Sequence, residues 1–527
     1  MTTRRAGVLI PLFSFPSEAT WGIGEITDVA AMAAWLEGAG QRILQLLPLN
    51  EMAPGQSSPY SALSAMAIDP IYIRVPDLAE SDPLDLDAAD RANLEWARRA
   101  PRVDYERVRG VKQRALAAAF RRFHDDEWHR DTERARSFRA FRTSQAWWVD
   151  DYALFRAIHA REGERPWLEW PEPLRRRDVA ALDVARHELS REILFYQYLQ
   201  WIADLQWQAA RSAARLCGVS LFGDLPFMVD ADSADVWARQ SQFNLDLSVG
   251  APPDAFSATG QDWGLPGCRW DVMAADGFRW LRDRAKRSAD LFDGYRVDHL
   301  VGFYRTYTRP RTGGAGVFSP VSESEQVALG ERILAIFAEP GVEIIAEDLG
   351  TVPDFVRASL AHLQIPGFRV LRWERYWNRD GQPFRDPSEY PPISVATSGT
   401  HDTEPLATWW DRASPAERLA VSEMPTVQRL TYRAGLTGAA FNPTVRDALL
   451  EALFASESHL VLTVMPDVFG WRDRINEPAT VSEDNWTFRL PWPSDRLADT
   501  PEALERQTAL RAWAERYGRW SVVAKSL

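Results

Sequence analysis

The sequence predicts an α/β fold of the (β/α)8 barrel class, on three observations. Short apolar, β-rich runs recur eight times along the 527 residues. Most are followed by an amphipathic helical pattern, and strands alternating with helices build a parallel sheet with crossovers. Acidic residues stand at the ends of several runs, where such barrels gather their functional groups on one face.

GVLIPLF (7–13) is the expected first strand. Arg4 and Arg5 ahead of it superficially suggest an export signal, but Pro11 and Ser14 break the apolar run and no small-residue cleavage site follows. WGIGEIT (21–27) contains a GxG, yet Thr27 stands where a dinucleotide fingerprint needs its third glycine, so a plain turn is expected. The helix DVAAMAAWLEGA (28–39) leads to the second strand, QRILQLLPL (41–49). Residues 80–215 are too many for a loop and carry Arg, Ala, Glu and Trp at helical spacing, which predicts a helical insertion. VSLFGDLPF (219–227) is the third strand. The Gly-, Pro- and Asp-rich residues 230–272 after it suit a long loop, a lid over the barrel mouth.

The remaining strands are GYRVDHL (294–300), VEIIAEDL (342–349), GFRVLRW (367–373), ISVATSGTH (393–401) and HLVLTVMPD (459–467). Helices are expected at 277–292, 325–339, 352–363 and 445–456, and the chain ends in another, PEALERQTALRAWAERYG. No all-β tail follows residue 500, so no C-terminal β-sandwich is expected. The domain reading is one catalytic barrel over 1–527, with 80–215 and 230–272 as subdomains at its C-terminal face.

Composition narrows the function. The net charge of −13, from 61 basic and 74 acidic residues, repels phosphate backbones, and no basic run offsets it, so no nucleic-acid partner is expected. No stretch is long and apolar enough to span a bilayer. Two cysteines, Cys217 and Cys268, are too few for a disulfide framework or a cysteine zinc site; they read as buried, reduced thiols of a cytoplasmic protein. His124 and His129 are five apart, which on an α-helix splays them rather than pairing them for zinc. No metal or cofactor is expected.

The acids fall at strand ends: Asp224 on the third, Asp298 on the fourth, Glu347 with Asp348 on the fifth, and Asp402 with His401 on the seventh. A single such acid would read as a helix cap; four on one rim read as an active site. Carboxylates with an arginine and a histidine but no thiol suit glycoside cleavage, which needs one ionised carboxylate as nucleophile and one protonated acid. Arg296, two residues before Asp298 and on the same side of the strand, would keep Asp298 ionised, while crowding by Asp402 would keep Glu347 protonated. A magnesium barrel of the enolase type, or a Schiff-base aldolase, wants a base on a strand end, and Lys112, Lys286 and Lys525 are not so placed.

The chain resembles the amylomaltases, the 4-α-glucanotransferases of glycoside hydrolase family 77. The resemblance runs through WGIGEI, SSPYSALSAMAIDP (57–70), GDLPFMVDADSADVW (223–237), PPDAFSATGQDWGLP (252–266), YRVDHLVG (295–302), IIAEDLG (344–350), SGTHD (398–402) and RINEPATVSEDNWTFRL (474–490). It implies that Asp298 is the nucleophile, Glu347 the general acid and base, and Asp402 the stabiliser of the reacting sugar. It further implies that Arg296 and His401 flank that sugar, that Asp224 is the acid of the third strand and Tyr60 a stacking aromatic, and that Phe256, Gln261 and Trp263 belong to the lid. Donor and acceptor would be maltooligosaccharides or other α-glucans; the alternatives are a hydrolase of the same mechanism and a catalytically silent glucan-binding protein. The sequence departs from the family pattern at Thr403–Glu404–Pro405, at Ser57 and Asp69, in the VLRW run, and in a shortened stretch between Asp246 and Pro252. These departures bear on acceptor choice and product length.

Overall fold

A computed structural model of the chain describes residues 3–252, 260–431, 436, 440–478, 480 and 482–520. Its strands are β1 (Arg5–Leu9), β2 (Ile43–Gln45), β3 (Ser220–Leu225), β4 (Phe243–Ala251), β5 (Gln261–Cys268), β6 (Gly294–Val297), β7 (Thr306–Pro310), β8 (Val317–Ser319), β9 (Glu343–Ala346), β10 (Gly367–Val370), β11 (Ser394–Thr397) and β12 (Leu460–Val464). Eight of them close a parallel barrel in the order β1-β12-β11-β10-β9-β6-β3-β2. Each comes from one of the eight apolar runs. Such strands are buried on both faces, which is why the runs are continuous rather than alternating. Ile43, Phe222, Ile345, Phe368, Val395, Leu460 and Leu462 fill the barrel as a core of their own.

Helices Val29–Gly38, Arg279–Leu291, Glu323–Ala338, Asp354–His362, Pro443–Phe454 and Pro501–Arg516 follow the expected segments. Side-chain caps set their starts: Ser322 Oγ accepts the Glu325 N–H, and Asn442 Oδ1 accepts those of Thr444 and Val445. Between β2 and β3 the chain forms Ala88–Arg99, Tyr105–Arg122, Glu133–Arg161, Val179–Glu188 and Ser190–Leu216, the first three capped by Asp87, Asp104 and Thr132. The WGIGEI turn is tied to this region, because buried Glu25 pairs with Lys112 Nζ at 2.7 Å.

Three expectations change. Residues 230–272 are not a plain loop: β4 and β5 within them join β7 and β8 in an antiparallel sheet of order β5-β4-β7-β8. These strands arise from the connections that leave the C-terminal ends of β3 and β6, so the sheet stands on the mouth side of the barrel. His124 and His129 are not splayed, because Phe123–Trp128 is a π-helical turn and brings their rings to 4.8 Å; the wider turn places residues five apart on one side. Cys217 and Cys268 are not joined in a disulfide and are only partly buried. Among the described residues, no helix is long and apolar enough to cross a membrane.

Candidate functional site

The β3–β6 register sets Asp224 opposite Arg296. Arg296 Nη1 donates to both Asp224 oxygens, at 2.7 and 2.6 Å, and its Nη2 lies 2.7 Å from Asp298 Oδ1. The pairing of Arg296 with Asp298 thus includes a third member on the next strand. Arg296 and Asp224 have side chains 3% and 0% exposed, while Asp298, just past β6, keeps 26% open to the mouth. Burial alone would lower the Arg296 guanidinium; Asp224 and Asp298 outweigh it and hold it above its ordinary range.

Glu347 directly follows β9. Its Oε2 accepts the backbone N–H of His299 at 2.8 Å, and its Oε1 that of Leu349 at 3.3 Å. Burial pushes this carboxyl up to about 7, with the charges of Asp298 and Asp348 adding to the effect and Arg296 opposing it. Crowding by Asp402, the cause expected from the sequence, is therefore replaced by burial. Asp348 faces away, accepting from Phe368 N at 2.7 Å and Arg369 Nη1 at 3.2 Å, which ties β9 to β10.

Asp402 stands in the loop after β11, five residues past Thr397. Asn476 Nδ2 donates to its Oδ1 at 2.6 Å, Arg474 Nη2 to its carbonyl at 2.6 Å, and His401 Nε2 lies 3.3 Å from its Oδ2. Enclosure would raise its pKa, but His401 and then Asn476 and Arg296 hold it down to about 2. In return Asp402 lifts the buried His401 imidazole above its ordinary range against the pull of burial. Tyr60 completes the cluster: its hydroxyl donates to Asp224 Oδ2 at 2.9 Å and sits 3.1 Å from His401 Nε2, and its ring is stacked on His401 at 5.4 Å.

The antiparallel sheet reaches this cluster through β5. Trp263 meets the His299 ring at 4.9 Å and Phe227 at 6.0 Å, and its indole N–H donates to Gln261 Oε1 at 3.0 Å. Phe256 lies outside the described residues. Four contributors were not singled out from the sequence: His299, Arg474, Asn476 and Trp486. Trp486 packs 5.6 Å from both Tyr60 and His401 with a left-handed φ of 64°. All four sit inside motif runs quoted above, which was the available signal.

A cavity of about 420 Å³ opens beside Asp402, walled by Arg372, Trp373, Trp377, Glu404 and Arg412. Trp373 and Trp377 are among the exposed large aromatics, whereas Trp280 is buried and bonded to Asp235 at 2.8 Å. Flat rings beside polar groups suit sugar faces and hydroxyls. Among the described residues, no group of three or more His, Cys, Asp or Glu is arranged to hold a metal ion. What the mouth does offer is two carboxyl groups pushed in opposite directions, Asp402 held down to about 2 and Glu347 raised to about 7, together with Asp298 in contact with Arg296.

The chain is similar to known proteins along most of its length. A family profile described as 4-alpha-glucanotransferase matches residues 10–495. A 4-alpha-glucanotransferase of Thermus thermophilus is 33% identical over 521 residues, 95% of this chain and 99% of that protein. One from Chlamydia pneumoniae is 32% identical over 508 residues, 94% of this chain and 93% of its own. Among solved structures, an amylomaltase from Streptococcus agalactiae in complex with acarbose superposes with a TM-score of 0.83 at 26% identity, covering 98% of this chain and all of that one. The amylomaltase of Corynebacterium glutamicum gives 0.79 at 25% identity, over 96% of this chain and 75% of the other.

Proposed function

Because this chain belongs to the 4-alpha-glucanotransferase family, we propose that it transfers α-1,4-glucan segments between maltooligosaccharides by a retaining double displacement through a covalent glycosyl–Asp298. In the first step Asp298 Oδ attacks the anomeric carbon, and Glu347 gives its proton to the departing glycosidic oxygen. In the second, the Glu347 carboxylate takes the proton of an acceptor 4-hydroxyl, whose oxygen attacks the same carbon and releases Asp298. Two inversions return the α-configuration.

The observation that carries this reading is Arg296 bridging Asp224 and Asp298, beside a Glu347 whose carboxyl is raised to about 7. The bridge supports a nucleophile; the raised carboxyl supports an acid. Asp402, held by Asn476 and His401, takes hydroxyls of the reacting sugar, with His401, Tyr60 and Asp224 around it. In the same reading 1–527 is one catalytic barrel flanked by a helical subdomain at 80–215. Residues 230–272 act as its lid, bringing Gln261 and Trp263 over the bound glucan. A cytoplasmic location belongs to this reading too, supported by Cys217 and Cys268 remaining outside any disulfide.

Maltotriose alone tests the proposal. It should yield glucose and a ladder of longer maltooligosaccharides, with little net gain in reducing ends. Water competes for the intermediate, but a bound and oriented hydroxyl reaches effective molarities of about 10⁵ M against roughly 55 M for bulk water. Reducing ends that rise in step with maltotriose consumption, with no product longer than the substrate, would establish a hydrolase instead.

A further inference from the structure

Among the described residues, four guanidinium groups and three carboxyl groups line the cavity beside Asp402. Three of the four cations are committed. Arg375 meets Glu417 at 2.6 Å, Arg412 meets Glu404 at 2.8 Å, and Arg474 holds Glu477 at 3.3 Å and the Asp402 carbonyl at 2.6 Å. The third carboxylate, Asp402 itself, is engaged by His401 and Asn476. Arg372 is left. It stands two residues past β10 and is 5% exposed, yet among the described residues no carboxylate comes within ion-pair distance of it. Its Nη2 donates to the Ser398 carbonyl at 3.2 Å, its guanidinium lies 5.4 Å from the Trp409 ring, and its enclosed Nε has no hydrogen-bond partner among the described residues. Asp467 and Glu404 attract it from farther off, and burial still holds it below its ordinary range. A buried guanidinium can be purely structural, and Arg519 is the example: its Nε, Nη1 and Nη2 donate to the carbonyls of Phe454, Ser458 and Ser456, each at 2.8 Å. Arg372 makes one such bond and borders a cavity, so most of its donors are left for something else.

We propose that this cavity is a subsite for a glucosyl unit carrying a phosphomonoester, with the ring on Trp373 and Trp377 and the phosphate on Arg372. The two tryptophans are 44% and 61% exposed, at the rim, while Arg372 is recessed. A sugar lying on the rings therefore needs an arm to reach the guanidinium. A phosphate on the 6-hydroxyl stands off the ring by a carbon and an ester oxygen; a uronic carboxylate is bonded directly to the ring, and a hydroxyl brings no charge. The guanidinium fork matches phosphate oxygens two at a time. Because Glu404 and Glu417 are each neutralised by an arginine, the Arg372 charge is the one a ligand would answer. Arg372 and Trp373 belong to the VLRW run and Glu404 to Thr403–Glu404–Pro405, so two of the sequence's departures from the family pattern meet on this one cavity.

The inference rests on the glucan reading and names a class of glucan within it. Calorimetric titration keeps the two apart, since no turnover enters it and the maltotriose assay decides the transfer reading separately. Wild type and Arg372→Gln are titrated at low salt with glucose, glucose 6-phosphate and orthophosphate, and thermal melting checks that the variant is folded. Wild type should bind glucose 6-phosphate roughly tenfold or more tighter than glucose, the worth of a hydrogen bond to a charged group, and tighter than orthophosphate, which lacks the ring. Added salt should narrow the preference. Arg372→Gln, which keeps hydrogen-bonding capacity and loses the charge, should bring the two sugars to about equal affinity. Equal binding of glucose and glucose 6-phosphate by wild type overturns the proposal, whether or not the variant folds. Orthophosphate bound as tightly as the sugar phosphate overturns it too, by reducing the cavity to a site for a bare ion. A folded Arg372→Gln that retains the wild-type preference would place the phosphate elsewhere.

Discussion

Each end of the barrel carries ionic groups beside a cavity, and the larger cavity is at the wrong end. At the foot, about 700 Å³ is enclosed by Leu334, Val342, Ile344 and Ile365 with Arg5, Glu343 and His459. At the mouth, the cavity beside Asp402 is about 420 Å³. The foot pairs its charges one to one: Arg5 with Glu343, side chains 22% and 32% exposed. At the mouth one guanidinium, 3% exposed, serves two carboxylates, one sealed and one open. A paired, half-exposed ion bridge is ordinary surface chemistry, whereas a buried cation that leaves one carboxylate face free has poised that face for something else. Volume does not distinguish the two ends; the support beneath the open carboxylates does.

The sharpest test of that contrast is Asp298→Asn. It keeps the shape of the mouth and removes the attacking charge, so turnover should fall to background while glucan binding, measured by calorimetry, persists. It also leaves Arg296 with one charged partner fewer, and some loss of thermal stability accompanies it. Substantial remaining turnover would place the nucleophile elsewhere and undo the distinction between mouth and foot.

Glu347→Gln sharpens it in a different currency. Turnover on natural glucans should drop by roughly 10²–10⁴, the usual worth of a positioned acid. Stability should move the other way. The Glu347 carboxyl is raised from 4.5 to about 7 by burial, so the folded protein binds the proton more tightly than the unfolded chain. The stability tied to the neutral form is full below pH 4.5 and is lost as pH rises toward and through 7. Gln mimics the neutral form at every pH. The variant should therefore be more stable than wild type at pH 8, by up to about 3 kcal/mol, with the difference vanishing near pH 4. Denaturant melts at the two pH values check this, and equal stability at both would mean that burial is not what perturbs Glu347.

The sequence made the mouth legible for a physical reason. Strand-end acids interrupt runs that are otherwise apolar on both faces, so Asp224, Asp298 and Glu347 stand out against β3, β6 and β9. The antiparallel sheet was harder to read. The alternation Leu245, Leu247, Val249 was present in β4, but the surrounding Gly, Pro and Asp resembled loop composition. The contacts that hold the acids were harder still. Asn476 reaches Asp402 from 74 positions away, and Glu347 is held by the backbone N–H of His299, a donor that almost any residue type would supply. The closeness of His124 and His129 depends on a π-turn, and nothing in FHDDEW marks it.

The smallest expected effect lies at the foot, and it is the one that could break the comparison. Glu343 pairs with Arg5, and its Oε1 lies 4.0 Å from His459 Nε2. An ion pair a quarter to a third exposed gains little over its hydrated ions, so Glu343→Gln should cost no more than about 1 kcal/mol, diminished further by salt. Turnover on maltotriose should match wild type. The reason is positional: Glu343 begins β9 and Glu347 follows its end, the strand residues 344–346 between them are buried, and a charge at one end moves the other only through an element with two discrete arrangements. Parallel measurement of melting temperature and turnover reads both. A tenfold fall in turnover with unchanged stability would mean that the barrel transmits the foot's charge to the mouth, and that its larger cavity takes part in the reaction.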